Sequence, residues 1–252
     1  MMLKKFQELP EKMQTEEVRK YYDLIKNKRT SLLFKRLFDI VVSAIMLIIL
    51  FPVFLILGIA IKIDSKGPVF YRQERITQYN KVFRIFKFRS MVQGADRGSH
   101  LTVGADARIT RMGKLIRKCR LDEISQLIDV LRGTMTFVGT RPESVKYVEA
   151  YTPEMMATLL LPAGVTSLAS IYFKDEAEML EGAEDADKTY IEEILPAKMH
   201  YNLKAIETFS FWGDIKIMFM TVFAVLGKEY KGDYKLPAKA EAQKHSTEEI
   251  NV

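Results

Sequence analysis

The sequence predicts a mixed α/β fold with a single core and a hydrophobic segment that enters a membrane. Three patterns indicate this fold: an uncharged apolar run over residues 40–61, alternating apolar and basic residues over 69–91, and helical spacing of apolar residues over 113–131. A chain of 252 residues is long enough for one sizeable core with appendages, but not for two full domains.

The composition narrows the class of protein and the chemistry of its partners. Hydrophobic residues make up 48% and charged residues 28% of the chain, which argues against a disordered chain and against a polytopic membrane protein. A net charge of +6 favours anionic partners: nucleic acid, phosphorylated ligands or an acidic membrane surface. No recognised nucleic-acid-binding module is present, so we expect no nucleic-acid partner. The single cysteine, Cys119, excludes an internal disulfide.

The hydrophobic run from Ile40 to Ile61 allows two membrane topologies. Its 22 uncharged residues would reach about 33 Å as a straight helix, enough to cross a bilayer core. Pro52 lies near the middle, however, where it removes a backbone hydrogen bond and bends the helix. Basic residues crowd both flanks, so the positive-inside rule gives no direction. Composition therefore leaves open a spanning helix and a helix that returns to the same face.

The remaining elements follow from local patterns. Residues 1–33 are polar and predict a helical extension at the surface, and residues 94–107 predict a mobile loop. Residues 209–226 predict an amphipathic helix in the membrane interface, with a second membrane span as the alternative. Further predictions are a turn at 64–68, a hairpin or loop at 133–142, helices at 144–160 and 176–193, a helix from Pro196, and a flexible basic tail over 228–252.

The densest cluster of charged residues runs from Arg108 to Glu143. Adjacent acids, Asp122 and Glu123, lie among arginines and a lysine. Two carboxylates beside several cations can bind a magnesium diphosphate, because carboxylates hold the metal and arginines take the phosphate oxygens. By itself this pattern is weak evidence for a binding site, since mixed charges on a helix are usually solvated ion pairs.

Six sequence blocks follow one another between about Phe34 and Leu226. They are FKRLFDI, GPVFYRQERI, FRIFKFRSM, DARITRMGKLIRK, LDEISQLIDVLRGTMTFVGTRPE and SFWGDIKI. Together these blocks resemble the monotopic phosphoglycosyl transferases, the bacterial sugar transferase family. Six blocks in the family's order are far more specific than any one of them.

The resemblance implies a small membrane-associated α/β core with an N-terminal re-entrant helix-break-helix, broken at Pro52, and amphipathic interfacial helices. Residues 34–63 would form the re-entrant helix and 64–227 the catalytic domain, on the cytoplasmic face of the bacterial inner membrane. The implied reaction transfers a sugar 1-phosphate from a UDP-sugar to polyprenyl phosphate, with release of UMP, and begins glycan assembly. Mg²⁺ would be the cofactor, and a homodimer is one candidate state.

The resemblance also assigns roles to residues. Asp122 would be the nucleophile that forms a covalent aspartyl–phosphosugar intermediate. Glu123 would hold the metal with Asp122 or take a proton from the incoming lipid phosphate. The candidate substrate-binding residues are Arg117, Arg141, Lys87 and Arg89.

Two other functions remain possible at this level: an inactive membrane scaffold of a glycan-assembly complex, and a metal-dependent glycosyltransferase that uses the Asp185-Ala186-Asp187 triplet. Several positions depart from the family pattern. They are Phe51-Pro52 in place of Ser-Pro, Thr140-Arg141-Pro142 in place of Pro-Arg-Pro, PAGVTSLAS over 162–170 in place of PGITGWAQ, and Asn202 in place of an aspartate. These departures put the identity of the donor in doubt rather than the reaction.

Overall fold

The structure is a computed structural model that describes residues 3–95, 108–174, 176–180, 185–230 and 232–234. The α-helices are α1 (Glu16–Lys26), α2 (Arg29–Asp64), α3 (Arg111–Lys118), α4 (Leu127–Arg132), α5 (Val145–Val148), α6 (Leu168–Tyr172), α7 (Glu176–Met179), α8 (Ala186–Thr189), α9 (Leu195–Glu207) and α10 (Phe211–Val225). The strands are β1 (Phe70–Thr77), β2 (Lys81–Phe88), β3 (Met135–Val138) and β4 (Ala163–Thr166). Mixed helices and small sheets confirm the predicted α/β class.

The N-terminal segment is part of the core. Helix α1 begins after Thr15, whose hydroxyl accepts a hydrogen bond from the Val18 backbone N–H. Its apolar face is buried in one cluster with the β1–β2 turn and the 3₁₀ turn over 155–160. The Tyr21 hydroxyl also donates to Glu154 Oε1 at 2.6 Å. The prediction of a helix here is confirmed, but the segment is packed into the body and is not a surface appendage.

Helix α2 contains the hydrophobic run that the sequence predicts to enter a membrane. It runs without interruption from Arg29 to Asp64, longer than the predicted 34–63, with Pro52 inside it. The predicted interruption of the helix at Pro52 is not found, although proline removes one backbone hydrogen bond there. Within the described residues, α2 is the helix long and apolar enough to cross a membrane. Its most apolar 18-residue stretch has a mean hydropathy of 3.2 and is 11% buried, unlike a core helix.

Both ends of α2 are held by the same folded body. Near its start, Asp39 accepts hydrogen bonds from the Thr136 hydroxyl at 2.8 Å and the Phe137 backbone N–H at 3.2 Å, both in β3. Near its end, the Arg89 guanidinium donates to the carbonyl oxygens of Ser65, at 2.6 Å, and Lys66, at 2.8 Å. The chain before α2 and the chain after it therefore meet on one body.

Two small sheets support the site. Strands β1 and β2 form an antiparallel hairpin in which Phe70 pairs with Phe88 and Thr77 with Lys81, which confirms the strands predicted over 69–91. Strands β3 and β4 are parallel. Gly164 is required beside β3, because a Cβ at this position would lie 2.2 Å from the Gly139 backbone nitrogen.

The continuous helix predicted over 113–131 is wrong. Helix α3 ends at Lys118, and α4 begins only at Leu127. Between them Arg120 has a φ of 51°, a left-handed conformation that no α-helix continues through. The Phe88 backbone N–H then donates to the Asp122 carbonyl oxygen at 3.0 Å, which ties this interruption to the end of β2.

The C-terminal part also differs from prediction. The single acidic helix predicted over 176–193 is replaced by the short helices α7 and α8 and a π-helical turn over 190–194. Helix α10 has 15 residues and would reach about 22 Å, too short to span a bilayer core. It exposes large apolar side chains, including Trp212 at 76%. The mobile loop predicted over 94–107 and the flexible tail over 228–252 lie mostly outside the described residues.

Candidate active site

The candidate site centres on Asp122, in the interruption between α3 and α4. Asp122 lines a cavity of about 560 Å³ between the β1–β2 hairpin, the segment after β2 and the end of α3. Lys87 and Arg117 line the same cavity. Burial, and then the charge of neighbouring Glu123, raise the pKa of Asp122 above its usual value, while Lys87 and Arg117 act in the opposite direction. A carboxylate with a raised pKa is more basic than a free one and so a better nucleophile.

Glu123 has a different environment from Asp122. Lys87 Nζ donates to Glu123 Oε1 at 3.2 Å, and the Arg141 guanidinium contacts both carboxylate oxygens, with Nη1 at 3.3 Å from Oε2. Burial alone would raise the pKa of Glu123, but the charges of Arg141 and Lys87 outweigh it and hold the pKa well below its usual range. Glu123 is therefore ionised, weakly basic and engaged by two cations.

The segment just after β2 positions the Arg117 side chain. It lies in the last turn of α3, and its Nε donates to the Ser90 hydroxyl at 2.9 Å. Gly113 brings α3 against this segment, since a Cβ at that position would lie 1.9 Å from the Ser90 carbonyl oxygen. The sequence placed Arg117 and Asp122 near one another along the chain, and the structure brings both side chains to one cavity.

Arg89 lines the same cavity as Asp122 and also contacts the end of α2. Its guanidinium is buried and donates to backbone carbonyls at the C-terminal end of α2 and just beyond. It also donates to the Ser65 hydroxyl at 2.9 Å. Orphan carbonyls at a helix C-terminus attract a cation. This geometry indicates that Arg89 fixes the end of α2, and its role in binding diphosphate stays a prediction.

Arg141 faces a second, smaller cavity. This space has a volume of about 120 Å³, and Arg141 is not among the residues that line the larger one. Arg75 and Lys87 line both cavities, so they form a common wall. The site is thus two adjoining spaces, with Asp122 in the larger and Arg141 in the smaller.

A buried charge network forms the far side of the smaller cavity. Lys198 Nζ donates to Glu143 Oε1 at 3.0 Å and to Glu176 Oε2 at 2.9 Å, and the Tyr190 hydroxyl donates to Glu143 Oε1 at 2.6 Å. Sequence reasoning missed Lys198, because a lone lysine in a helix carries no signal. It also missed Arg75, although that arginine belongs to the GPVFYRQERI block that carried the resemblance.

A magnesium ion fits this site through one carboxylate. In the described ranges no group of three or more histidine, cysteine, aspartate or glutamate side chains is arranged to hold a metal. Mg²⁺ is commonly bound by one or two carboxylates together with substrate phosphates and waters. Asp122 meets that requirement. Glu123 fits the predicted metal-ligand role poorly, because Arg141 and Lys87 engage its oxygens.

The Asp185-Ala186-Asp187 triplet, the alternative metal site considered from the sequence, does not form a metal site. Asp187 accepts hydrogen bonds from Lys146, at 2.5 Å, and from the Tyr147 hydroxyl, at 2.6 Å. Asp185 instead caps α8 through the Lys188 backbone N–H. Both carboxylates have structural partners, which disfavours a DxD-type glycosyltransferase.

Comparisons with a family profile and with curated proteins agree on one family. The profile of the bacterial sugar transferase family matches residues 30–228. The chain is 37% identical over 199 residues to a UDP-glucose:undecaprenyl-phosphate glucose-1-phosphate transferase of Klebsiella pneumoniae, covering 77% of this chain and 40% of that protein. It is 35% identical over 196 residues to a UDP-N-acetylgalactosamine-undecaprenyl-phosphate N-acetylgalactosaminephosphotransferase of Aeromonas hydrophila, covering 76% and 43%.

A Caulobacter vibrioides relative, a UDP-glucose:undecaprenyl-phosphate glucose-1-phosphate transferase, is 32% identical over 203 residues and is matched over 69% of its length. The chain spans only about two fifths of the Klebsiella and Aeromonas relatives. The matched region contains all of α2 except Arg29, both sheets and every candidate site residue. The chain belongs to the bacterial sugar transferase family.

Proposed function

We propose that this protein transfers a sugar 1-phosphate from a UDP-sugar to polyprenyl phosphate and releases UMP. The observation that carries the proposal is Asp122, a partly buried carboxylate of raised pKa that shares a cavity with Lys87 and Arg117. The names of the relatives support the reaction type, since they describe transfer of a sugar phosphate to undecaprenyl phosphate. Those relatives differ in their sugar, so the donor here is a UDP-linked hexose or N-acetylated aminosugar.

The proposed chemistry proceeds in two displacements. An Asp122 carboxylate oxygen attacks the β-phosphorus of the donor, and the bond from that phosphorus to the bridging oxygen breaks, which releases UMP and leaves an aspartyl–phosphosugar. A phosphate oxygen of the polyprenyl phosphate then attacks the same phosphorus. The aspartyl bond breaks, Asp122 is regenerated as a carboxylate, and the product is a polyprenyl diphosphosugar.

Cations of the protein would make the first displacement possible. Lys87 and Arg117 lie beside Asp122 and can neutralise the diphosphate, which lowers its repulsion of an attacking carboxylate. Glu123 would act by holding Lys87 and Arg141 in position rather than by accepting a proton, because its depressed pKa makes it a weak base. Mg²⁺ bound by Asp122 and the substrate phosphates would supply additional charge neutralisation.

The fold supports a re-entrant membrane segment. The N-terminal segment over 3–26 and the chain after α2 belong to one packed body, so a straight spanning α2 would have to place parts of one core on opposite faces of the bilayer. A path that enters the membrane and returns to the same face avoids this conflict, and Pro52 would allow the helix to bend. We place the body on the cytoplasmic face of the inner membrane, where UDP-sugars are made.

The nucleotide product tests the proposed reaction. The full chain, in nanodiscs with magnesium, should convert one member of a UDP-sugar panel and polyprenyl phosphate into equal amounts of UMP and lipid diphosphosugar. Chromatography of the nucleotides measures this outcome. UDP as the product would indicate transfer of the sugar alone. Absence of any nucleotide product, across the panel, would favour the inactive scaffold.

Cysteine labelling tests the topology. Single cysteines at Thr30 and Lys66, both exposed and on opposite ends of α2, are placed in a Cys119→Ser background. Both should resist a membrane-impermeant maleimide in intact cells and react fully after lysis, because both flanks face the cytoplasm. Labelling of one position alone in intact cells would establish a spanning helix and refute the re-entrant path.

A further inference from the structure

Arg75 of the β1–β2 hairpin has a neutral hydrogen-bond partner. Gln73 and Arg75 are two positions apart in β1, so their side chains lie on one face of the hairpin. Arg75 Nη2 donates to Gln73 Oε1 at 2.8 Å, and within the described residues Arg75 forms no ion pair. Lys87 and Arg141, by contrast, both donate to Glu123. An amide partner leaves the positive charge of Arg75 uncompensated.

Arg75 also has nitrogen atoms that a ligand can reach. The residue is partly buried and lines both cavities. Its Nε and Nη1 make no hydrogen bond with the described residues and are not fully buried, so both retain accessible surface. Glu143 lies near enough for its charge to act on Arg75, but its carboxylate is bonded to Lys198 and Tyr190. A guanidinium with two free donors suits a phosphate, which accepts such paired hydrogen bonds.

The surroundings of Arg75 and Arg117 place these two arginines on different sides of the site. Burial lowers the pKa of Arg75, and the nearby charges that act on it most are those of Glu143 and Arg141, which line the smaller cavity. Arg117 lines the larger cavity and not the smaller, and its charge lowers the pKa of Asp122. Arg117 therefore lies beside the nucleophile, and Arg75 lies towards the smaller cavity.

Both displacements of the proposed reaction use the side of the phosphorus that is opposite Asp122. In an in-line displacement the attacking and leaving oxygens lie on opposite sides of the phosphorus. UMP therefore leaves from the side opposite Asp122, and the lipid phosphate must attack the aspartyl–phosphosugar from that same side. The phosphate of UMP and the phosphate of the lipid occupy one position in turn.

We propose that Arg75 binds the phosphate opposite Asp122, which is the α-phosphate of the nucleotide in the first displacement and the lipid phosphate in the second. This inference rests on the proposed function and deepens it by assigning one cation to both substrates. Gln73 is a positioning residue that holds the Arg75 guanidinium without neutralising it. Arg117, on the side of Asp122, contacts the phosphate that is attacked.

Binding of UMP tests the role of Arg75 without requiring the sugar to be known. The full chain in nanodiscs with magnesium is titrated with UMP by calorimetry. Arg75→Gln should weaken UMP binding at least about tenfold, the scale for loss of hydrogen bonds from a charged group. Gln73→Glu keeps Arg75 but gives it a carboxylate partner, so it should weaken UMP binding by a similar factor. Arg84→Gln is the control, because Arg84 forms an exposed pair with Glu74 on the other face of the hairpin.

A purely structural role of Arg75 predicts a different result. The carboxylate of Gln73→Glu would then anchor Arg75 more firmly, and UMP binding would not change. Wild-type affinity for UMP in either variant would therefore overturn the assignment of Arg75. Where Arg75→Gln fails to fold, Gln73→Glu decides the question.

Kinetics with polyprenyl phosphate test the shared position. With the UDP-sugar that the panel identifies, UMP should inhibit wild type competitively against polyprenyl phosphate, and Gln73→Glu should raise the KM for polyprenyl phosphate. Non-competitive inhibition, or an unchanged KM in Gln73→Glu, would overturn the shared position, while release of UMP by wild type would leave the proposed function standing. Wild type that neither binds UMP nor releases it would refute the proposed function together with this inference.

Discussion

Replacing Asp122 by asparagine is expected to abolish catalysis. The amide is close to isosteric with the carboxylate but cannot form the aspartyl–phosphosugar, so both half-reactions stop. We expect turnover to fall by at least about 10³-fold, the scale for loss of a covalent nucleophile. The measurement is release of UMP in the presence of polyprenyl phosphate, together with exchange of labelled UMP into UDP-sugar in the absence of lipid.

The exchange reaction discriminates between mechanisms. Wild type should catalyse exchange without lipid, because the first displacement is reversible and needs no acceptor. Exchange retained in Asp122→Asn, or lacking in a wild-type preparation that turns over, would refute the covalent mechanism. Asp187→Asn is the matched control: Asp187 is bonded to Lys146 and Tyr147, so this variant should keep near-normal activity. A severe loss of activity in Asp187→Asn would instead indicate that the triplet over 185–187 takes part in catalysis.

Replacing Glu123 by glutamine should impair both half-reactions to the same extent. Glutamine keeps the shape of the side chain but leaves Lys87 and Arg141 without the charge that holds them, and these two cations then repel each other. Loss of positioned charge of this kind costs about 10²-fold or more in rate. Exchange of UMP and overall turnover should therefore fall together, by similar factors.

The same variant distinguishes the other roles predicted for Glu123. If Glu123 accepted a proton from the polyprenyl phosphate, exchange would stay near the wild-type rate while turnover fell. If it were a metal ligand, raised magnesium would restore activity. We expect neither result. Glu74→Gln is the control, because Glu74 forms an exposed pair with Arg84 on the same hairpin, and surface pairs contribute little.

Local sequence patterns predicted the long apolar helix and the strands over 69–91, but the helices predicted over 113–131, 144–160 and 176–193 are each divided into shorter elements. The hydrophobic run predicted a long apolar helix, and the alternation over 69–91 predicted strands, which the structure shows as α2 and the β1–β2 hairpin. The apolar spacing over 113–131 predicted a continuous helix that does not exist. Spacing alone contains no information on the contact between Phe88 and Asp122, which accompanies the interruption.

For the candidate site, too, the sequence predicted the identity of residues but not all of their contacts. Adjacent acids among cations, together with six blocks of family resemblance, were enough to choose Asp122, Glu123, Arg117, Arg141 and Lys87, and all five lie around the two adjoining cavities. Arg89 was chosen for its charge and its motif. Arg89 also lines the larger cavity, and the contacts of its guanidinium with the carbonyls at the end of α2 were not predicted from the sequence.

The sequence by itself therefore determined the family, the long apolar helix, the strands over 69–91 and the candidate nucleophile, since these depend on residue type and short-range spacing. Only the tertiary structure decided which cations face Asp122, that Glu123 is engaged by Arg141 and Lys87, and that Arg75 lines both cavities. The physical reason is that hydrogen bonding, burial and pKa depend on the distances between side chains far apart in the chain. Arg141 and Glu123 are 18 positions apart, and Lys87 and Glu123 are 36 apart, so no local pattern reveals these contacts.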